Sequence, residues 1–293
     1  MDGLDGFEYQ RVEVDGVGIH TAVAGSGPPV LLLHGYPQHQ LMWRHVAPRL
    51  AEERTVVVTD LRGYGRSDKP EPDAAGERYA KRAMAHDQLG VMRRLGFARF
   101  SVVGHDRGAR VAYRLGLDHP GAVDALALLD IVPTGHVLTH VDLPLARSYF
   151  HWFFLATGGG VPERLLGAEP EFWIRTMVER LLAPGASIEP AVMDDYVACF
   201  ADPATIAASC ADYRSGATVD LEHDERSVAA GQRLACPTLV LWGERSFVGR
   251  AYDPLEVWRG YADDVRGRGL DAGHFLPEEV PDQVLTELLG VLP

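Results

Sequence analysis

The amino-acid sequence predicts an α/β fold: a mostly parallel, eight-stranded sheet interrupted by one long helical insertion. Three observations lead there. Short apolar, β-branched runs recur along the chain, each closed by a turn signal, with helical patterns between several of them. One of these runs passes directly into a glycine-flanked turn, Gly104-His105-Asp106-Arg107-Gly108. From about residue 134 to residue 215 the pattern is helical and rich in aromatics, with no strand-like run.

Strands are expected at residues 9–14, 18–24, 30–34, 55–60, 100–104, 125–130, 238–242 and 265–270. The first two have no room for a helix between them and predict an antiparallel start. The runs "VLLLH", "TVVVTD" and "FSVVG" are apolar almost throughout, as strands covered on both faces are. Each ends in a loop of turn residues. After "ALALLD" come "ARSYFHWFFL", "EFWIRTMVERLL" and "DDYVACFADPATIAASCADYR", which form the insertion. The expected organisation is a core domain from residues 1–133 and 216–293, with a helical cap at 134–215. There is no internal repeat and no low-complexity tract.

Of 293 residues, 46% are hydrophobic and 24% charged, an ordinary globular balance. A formal charge of -13 and a pI near 5.3 oppose binding to nucleic acid or anionic membrane. An anionic substrate would therefore need arginines placed locally. Residues 1–10, "MDGLDGFEYQ", have neither the basic start nor the apolar core of a signal peptide. No apolar run approaches the ~18 residues of a membrane span. Three cysteines without a CxxC spacing favour free thiols in a reducing, cytoplasmic setting.

The turn "GHDRG" has the form of a nucleophile elbow with Asp106 as the nucleophile. A sharp strand-to-helix turn presents that side chain to the cleft, and the helix N-terminus favours its ionised form. Asp before a helix is also a common N-cap, so the neighbouring motifs carry weight. "HGYPQ" follows a buried strand and can aim the N–H of Tyr36 at a developing oxyanion, with the N–H of Arg107 as second donor. In "LDAGHFLPEE", His274 follows the last strand, where the base of such a triad comes in chain order. The orienting acid is read as Asp130, at the end of "LALLD". Glu244 is the reserve, because "WGERSF" carries Ser246 where an Asp is commoner. "DLRGYGRSD" is read as loop scaffolding with Asp60 and Arg62 tying it. His136 and His140 are four apart, but without a HExxH glutamate they indicate no metal.

On "HGYPQ", "MWRHVAP", "DLRGYGRSDKP", "LGFARFSVVGHDRGAR", "LDIVPT", "HWFF", "DPATIAASCADYRSGATVD" and "GHF", the chain resembles the α/β-hydrolase superfamily, and within it the haloacetate (fluoroacetate) dehalogenases. Epoxide hydrolases, which carry tryptophan after the nucleophile, resemble it next best. The resemblance implies the α/β-hydrolase fold with a helical cap, no cofactor and no metal. It implies that Arg107 and Arg110 bind a substrate carboxylate, a role their spacing on one side of a helix supports. It further implies that His151, Trp152 and Tyr213 bind the leaving halide. Fluoroacetate-active relatives have another tryptophan in mid-cap; an ungapped count places Arg180 there, rather than Trp173. An aromatic cap is also a surface on which two copies can pair, which leaves a homodimer open.

The reaction expected is hydrolysis of a short 2-haloacid through an ester on Asp106, giving the 2-hydroxyacid and halide. One alternative is an epoxide hydrolase with the same nucleophile, Tyr213 and Tyr149 serving as acids. Another is a non-catalytic member of the fold that binds a small acid.

Overall fold

The structure is a computed structural model and describes residues 3–293. Met1 and Asp2, the first residues of the expected core domain and of the segment read for a signal peptide, lie outside the described residues. Eight strands form one sheet: β1 (Glu8–Val14), β2 (Val17–Ala24), β3 (Pro29–Leu33), β4 (Thr55–Thr59), β5 (Phe100–His105), β6 (Val123–Leu129), β7 (Thr238–Gly243) and β8 (Val265–Leu270). Every expected strand is present, with ends shifted by at most two residues. The order is β1-β2-β4-β3-β5-β6-β7-β8. β1 and β2 pair antiparallel, as their two-residue connection dictates, and β2 joins β4 antiparallel; all later pairs are parallel.

Among the described residues, fifteen α-helices and one 3-10 helix (Gln40–Trp43) join or cover these strands. α1 (Ala47–Leu50), α2 (Lys81–Arg94) and α3 (Arg107–Asp118) precede the insertion. The insertion runs through α4 (Thr134–Thr139), α5 (Leu143–Ser148), α6 (Phe150–Ala156), α7 (Val161–Ala168), α8 (Pro170–Leu181), α9 (Pro190–Phe200), α10 (Pro203–Ala217) and α11 (Val219–Ala229). After β7 come α12 (Phe247–Ala251), α13 (Pro254–Arg259), α14 (Leu276–Glu279) and α15 (Pro281–Leu289). None of the described helices is long and apolar enough to cross a membrane. The chain is thus helical, without a strand, from β6 to β7. α11 lies against α3, where Asp224 accepts from the Tyr113 hydroxyl at 2.8 Å and Ser227 from Arg114 at 3.0 Å.

The core explains which strands were easy to read. Val30, Leu31, Leu32 and Leu33 of β3, Val56, Val57 and Val58 of β4, and Val102 and Val103 of β5 are all essentially inaccessible. Both faces of the central sheet are covered, so these strands show continuous apolar runs. The strand order reverses between β3 and β5. The crevice at the carboxyl ends of strands, beside such a switch point, is where open α/β sheets bind ligands. "HGYPQ" leaves β3 there and "HDRG" leaves β5 there.

Candidate active site

Asp106 alone joins β5 to α3, with φ 46° and ψ -113°. Few non-glycine residues adopt that conformation, and it turns the side chain out of both elements. The flanking glycines are required by close approach. A Cβ on Gly108 would stand 2.3 Å from the carbonyl oxygen of His34, and one on Gly104 would stand 2.6 Å from the Cα of Ala109. A Cβ on Gly35 would meet that of Asp106 at 2.5 Å, so the β3 loop also needs glycine to press against Asp106.

That contact puts the Tyr36 N–H 3.0 Å from Oδ2 of Asp106, to which it donates. The Arg107 N–H is at the first position of α3, where a helical N–H has no intrahelical acceptor. Burial by itself would raise the Asp106 pKa, but His274, His105, Arg107 and Arg110 together hold the carboxyl below its ordinary value. It is a buried carboxylate kept ionised by its surroundings.

His274 and Asp130 meet as expected. His274 Nδ1 lies 2.6 Å from Asp130 Oδ2, and Nε2 lies 4.0 Å from Asp106 Oδ1. Burial favours neutral His274, yet the hydrogen bond and charge of Asp130 outweigh it and raise its pKa. The other oxygen of Asp130 accepts from the Gly243 N–H at 2.9 Å and the Ser246 hydroxyl at 2.7 Å. Ser246, which stands after β7 where an acid is commoner, is therefore a donor to the acid supplied by β6. Glu244, the reserve candidate, is exposed and its side chain lies against Gly269. Geometry brings Asp130, and not Glu244, to the histidine. His105, which sequence reasoning passed over, lies 2.8 Å from the backbone oxygen of His274. Burial lowers it to about 3, so it holds that loop as a neutral ring.

The arginines of α3 share one wall but have unequal freedom. Arg107 donates from Nε to Asp212 Oδ2 at 2.9 Å and from Nη2 to Asp212 Oδ1 at 2.5 Å. Its guanidinium also lies 4.3 Å from the centre of the Tyr213 ring. Arg110 donates from Nη1 to Thr134 Oγ1 at 2.8 Å and faces the Trp152 ring at 4.6 Å. Its Nε is buried without a partner. His151, Trp152 and Tyr213 all come to this wall: the His151 and Tyr213 rings are 5.8 Å apart, and Trp152 and Tyr213 are 6.2 Å apart. Burial takes His151 down to about 3, and its Nδ1 has no partner.

Arg180 does not enter the site as a buried wall. It is exposed, with its guanidinium 5.3 Å from the Phe150 ring, and its charge reaches the site only as one influence on His151. Trp173 of the same helix does reach it: its indole N–H donates to the Tyr36 hydroxyl at 2.5 Å. Beside Arg107, Trp152 and Tyr213 a cleft of about 210 Å³ opens, also lined by Leu138, Phe153 and Gly216.

Among the described residues, the one cluster with metal-ligating spacing is His39, Asp195 and Cys199, at the junction of cap and core. His39 Nε2 pairs there with Asp195 Oδ2 at 3.2 Å, and Arg66 donates to the same carboxylate at 3.0 Å. His136 and His140 stack with centroids 4.5 Å apart, in no such cluster.

Comparison with known proteins agrees with this architecture. The α/β-hydrolase-fold family matches residues 28–281. A fluoroacetate dehalogenase of Burkholderia sp is 44% identical over 98% of this chain and 95% of its own length. A soluble epoxide hydrolase of Corynebacterium sp. (strain C12) is 32% identical over 96% of each. The crystal structure of a Nostoc sp PCC 7120 protein superposes with a TM-score of 0.95 at 48% identity, covering 97% of both chains. The chain belongs to the α/β-hydrolase superfamily and, within it, to the haloacetate dehalogenase family.

Proposed function

We propose that this chain hydrolyses short 2-haloacids, haloacetates foremost, to the 2-hydroxyacid and halide through an ester on Asp106. The observation that carries the reading is the pairing of an ionised, buried Asp106 with two arginines on the next turn of α3. An epoxide has no carboxylate for them to hold.

Each step has a residue in place. The substrate carboxylate takes the free donors of Arg107 and Arg110, which sets C2 before Asp106; orientation of this kind can supply up to ~7–11 kcal/mol of a barrier. Oδ2 is occupied by the Tyr36 N–H, so Oδ1 is the attacking oxygen. It displaces halide toward His151, Trp152 and Tyr213, whose N–H and O–H groups solvate the departing ion. Oδ2 is then the ester carbonyl oxygen, already against its oxyanion donors. Water taken between Oδ1 and His274 Nε2, which stand 4.0 Å apart, loses its proton to His274 and attacks the Asp106 carbonyl carbon. The tetrahedral adduct collapses, its departing alkoxide takes the proton from His274 and leaves as the 2-hydroxyacid, and Asp106 returns to the carboxylate as its new hydroxyl proton passes to solvent. A serine in this position would form an ether, with no carbonyl for water to attack.

Tyr149 supports a second reading. Its buried ring stacks on Trp152 at 5.8 Å, with Tyr213 on the same indole, so two phenols face the site as an epoxide-opening pair would. The test is release of halide and glycolate from chloroacetate and fluoroacetate, with an uncharged epoxide in parallel. Halide release without epoxide opening is expected. Epoxide opening without halide overturns the proposal in favour of the second reading. Silence on all three leaves the fold as a binder of small acids, to be checked by glycolate binding.

A further inference from the structure

We propose that Asp212 is a positioning residue that fixes the Arg107 guanidinium with one edge open to the substrate carboxylate, and that Lys81 and Tyr64 hold Asp212 for that purpose. The inference rests on Arg107 as a ligand of the substrate acid and adds the device that orients it.

Arg107 is 1% exposed, and a guanidinium so deeply buried requires a carboxylate partner. Asp212 of α10 takes three of its contacts: Nε and Nη2 through the carboxylate, and Nη2 again through the backbone carbonyl at 2.9 Å. Among the described residues Nη1 donates to no protein acceptor. The next residue, Tyr213, lies under the guanidinium face, and a Cβ on Gly216 would stand 3.3 Å from Nη2. One turn of α10 thus closes an edge, a face and an end of Arg107. The pattern dictates an end-on contact from Nη1, with Arg110, whose Nε is unpartnered, supplying the remaining donors.

Asp212 has no exposure and four lone-pair directions to fill. Those not used by Arg107 go to the Tyr64 hydroxyl, 2.6 Å from Oδ2, and to the Lys81 ammonium on Oδ1. Lys81 in turn contacts Asp220 Oδ2 at 3.3 Å, and its backbone N–H donates to Asp220 Oδ1 at 2.7 Å. The result is an alternating row, Arg107, Asp212, Lys81, Asp220, spanning α3, α10, the start of α2 and α11. Lys81 has a distinct consequence. A carboxylate devoted to Arg107 alone would cancel its attraction for a substrate anion, whereas one shared with Lys81 leaves part of that attraction available. Despite burial, Arg107 and Lys81 hold the Asp212 carboxyl well below the ordinary range, so it stays ionised between them.

The test compares chloroacetate with chloroacetamide, which carries the same leaving group without the charge. In Asp212→Asn the preference for the acid, as the ratio of the two kcat/KM values, should fall on the order of 10- to 100-fold, the range for a displaced hydrogen bond to a charged group. The change should lie mainly in the KM for the acid, with amide turnover nearly untouched. If a more positive pocket mattered more than orientation, the ratio would rise. A rise or no change in a folded variant overturns the proposal. Should Asp212→Asn fail to fold, Tyr64→Phe removes one hydrogen bond from Asp212 at no change of charge. It should lower the same ratio several-fold, and an unchanged ratio there also overturns it. Equilibrium binding of glycolate, read by tryptophan fluorescence, separates this inference from the proposed reaction. If the wild-type chain releases no halide, the reaction fails, while weaker glycolate binding in Asp212→Asn still supports positioning.

Discussion

Replacing Asp130 by Asn should stop the cycle after its first half. The carboxylate has one oxygen on His274 Nδ1 at 2.6 Å and the other between the Gly243 N–H and the Ser246 hydroxyl. An amide must keep its oxygen toward those two donors, so its NH₂ faces Nδ1. The imidazole is then driven to the tautomer that carries its proton on Nε2, and a protonated Nε2 cannot take one from water. Loss of a short, buried, charge-assisted hydrogen bond is worth about 3 kcal/mol, on the order of 10²-fold in rate. The wrong tautomer extends this toward ~10⁴-fold, as for other histidine–carboxylate pairs.

Attack by Asp106 on C2 needs no base, so that step survives. The variant should release one equivalent of halide per site and accumulate the mass of one carboxymethyl group on Asp106. Intact-mass spectrometry after mixing with chloroacetate, with halide counted in parallel, reads both. The pH profile adds a check of sign. Ester hydrolysis needs neutral His274; Asp130 raises its pKa, so the acid limb of the wild-type profile lies above the ordinary imidazole value, and the residual rate of the variant should show that limb moved to lower pH. Halide release beyond one equivalent at near wild-type rate, with no adduct, would refute the assignment of Asp130.

Asp106→Ala should release no halide from any haloacid, whereas Asp106→Asn regains activity slowly if its amide is hydrolysed in place; ion chromatography over hours distinguishes the two. Gly108→Ala places a methyl 2.3 Å and 2.6 Å from two backbone oxygens, so it should lose at least ~1–3 kcal/mol of stability in denaturant melts, and a variant of wild-type stability would show that the elbow is less tightly packed than described. His39 gives a pH-dependent stability. Burial opposes its charge, but the Asp195 carboxylate 3.2 Å away and Cys199 beside it raise it to about 9, while Asp195 is held down chiefly by His39. A raised histidine contributes fully below its unfolded pKa and loses the contribution as pH rises through about 9; a depressed aspartate contributes above its unfolded pKa. The excess Tm of wild type over His39→Asn should therefore be largest near about pH 6 and shrink by about pH 9.5, and a constant difference would deny the ion pair.

What could be read from the sequence follows the range of the interactions involved. The strands from β3 to β7 were legible because burial on both faces writes a mostly apolar, β-branched run into each of them. Asp106 was legible because close packing around its turn demands glycine two residues away on either side, so the motif is local. Asp130 was less so. Its claim over Glu244 depends on β6 and β7 pairing in register and on Ser246 folding back from the next strand, and no periodicity records that. Asp212 lies 131 residues from Lys81 and 105 from Arg107, on a helix whose sequence reads simply as aromatic cap. Its function arises only when α10 settles against α3 and leaves a buried guanidinium to be neutralised. Trp173 and Arg180 differ by two helical turns, so a count along α8 cannot tell which one reaches Tyr36. The second layer of such a site, which aims the groups that touch substrate, is written in packing between distant elements, and there a sequence motif marks the nucleophile but not what holds its partners in place.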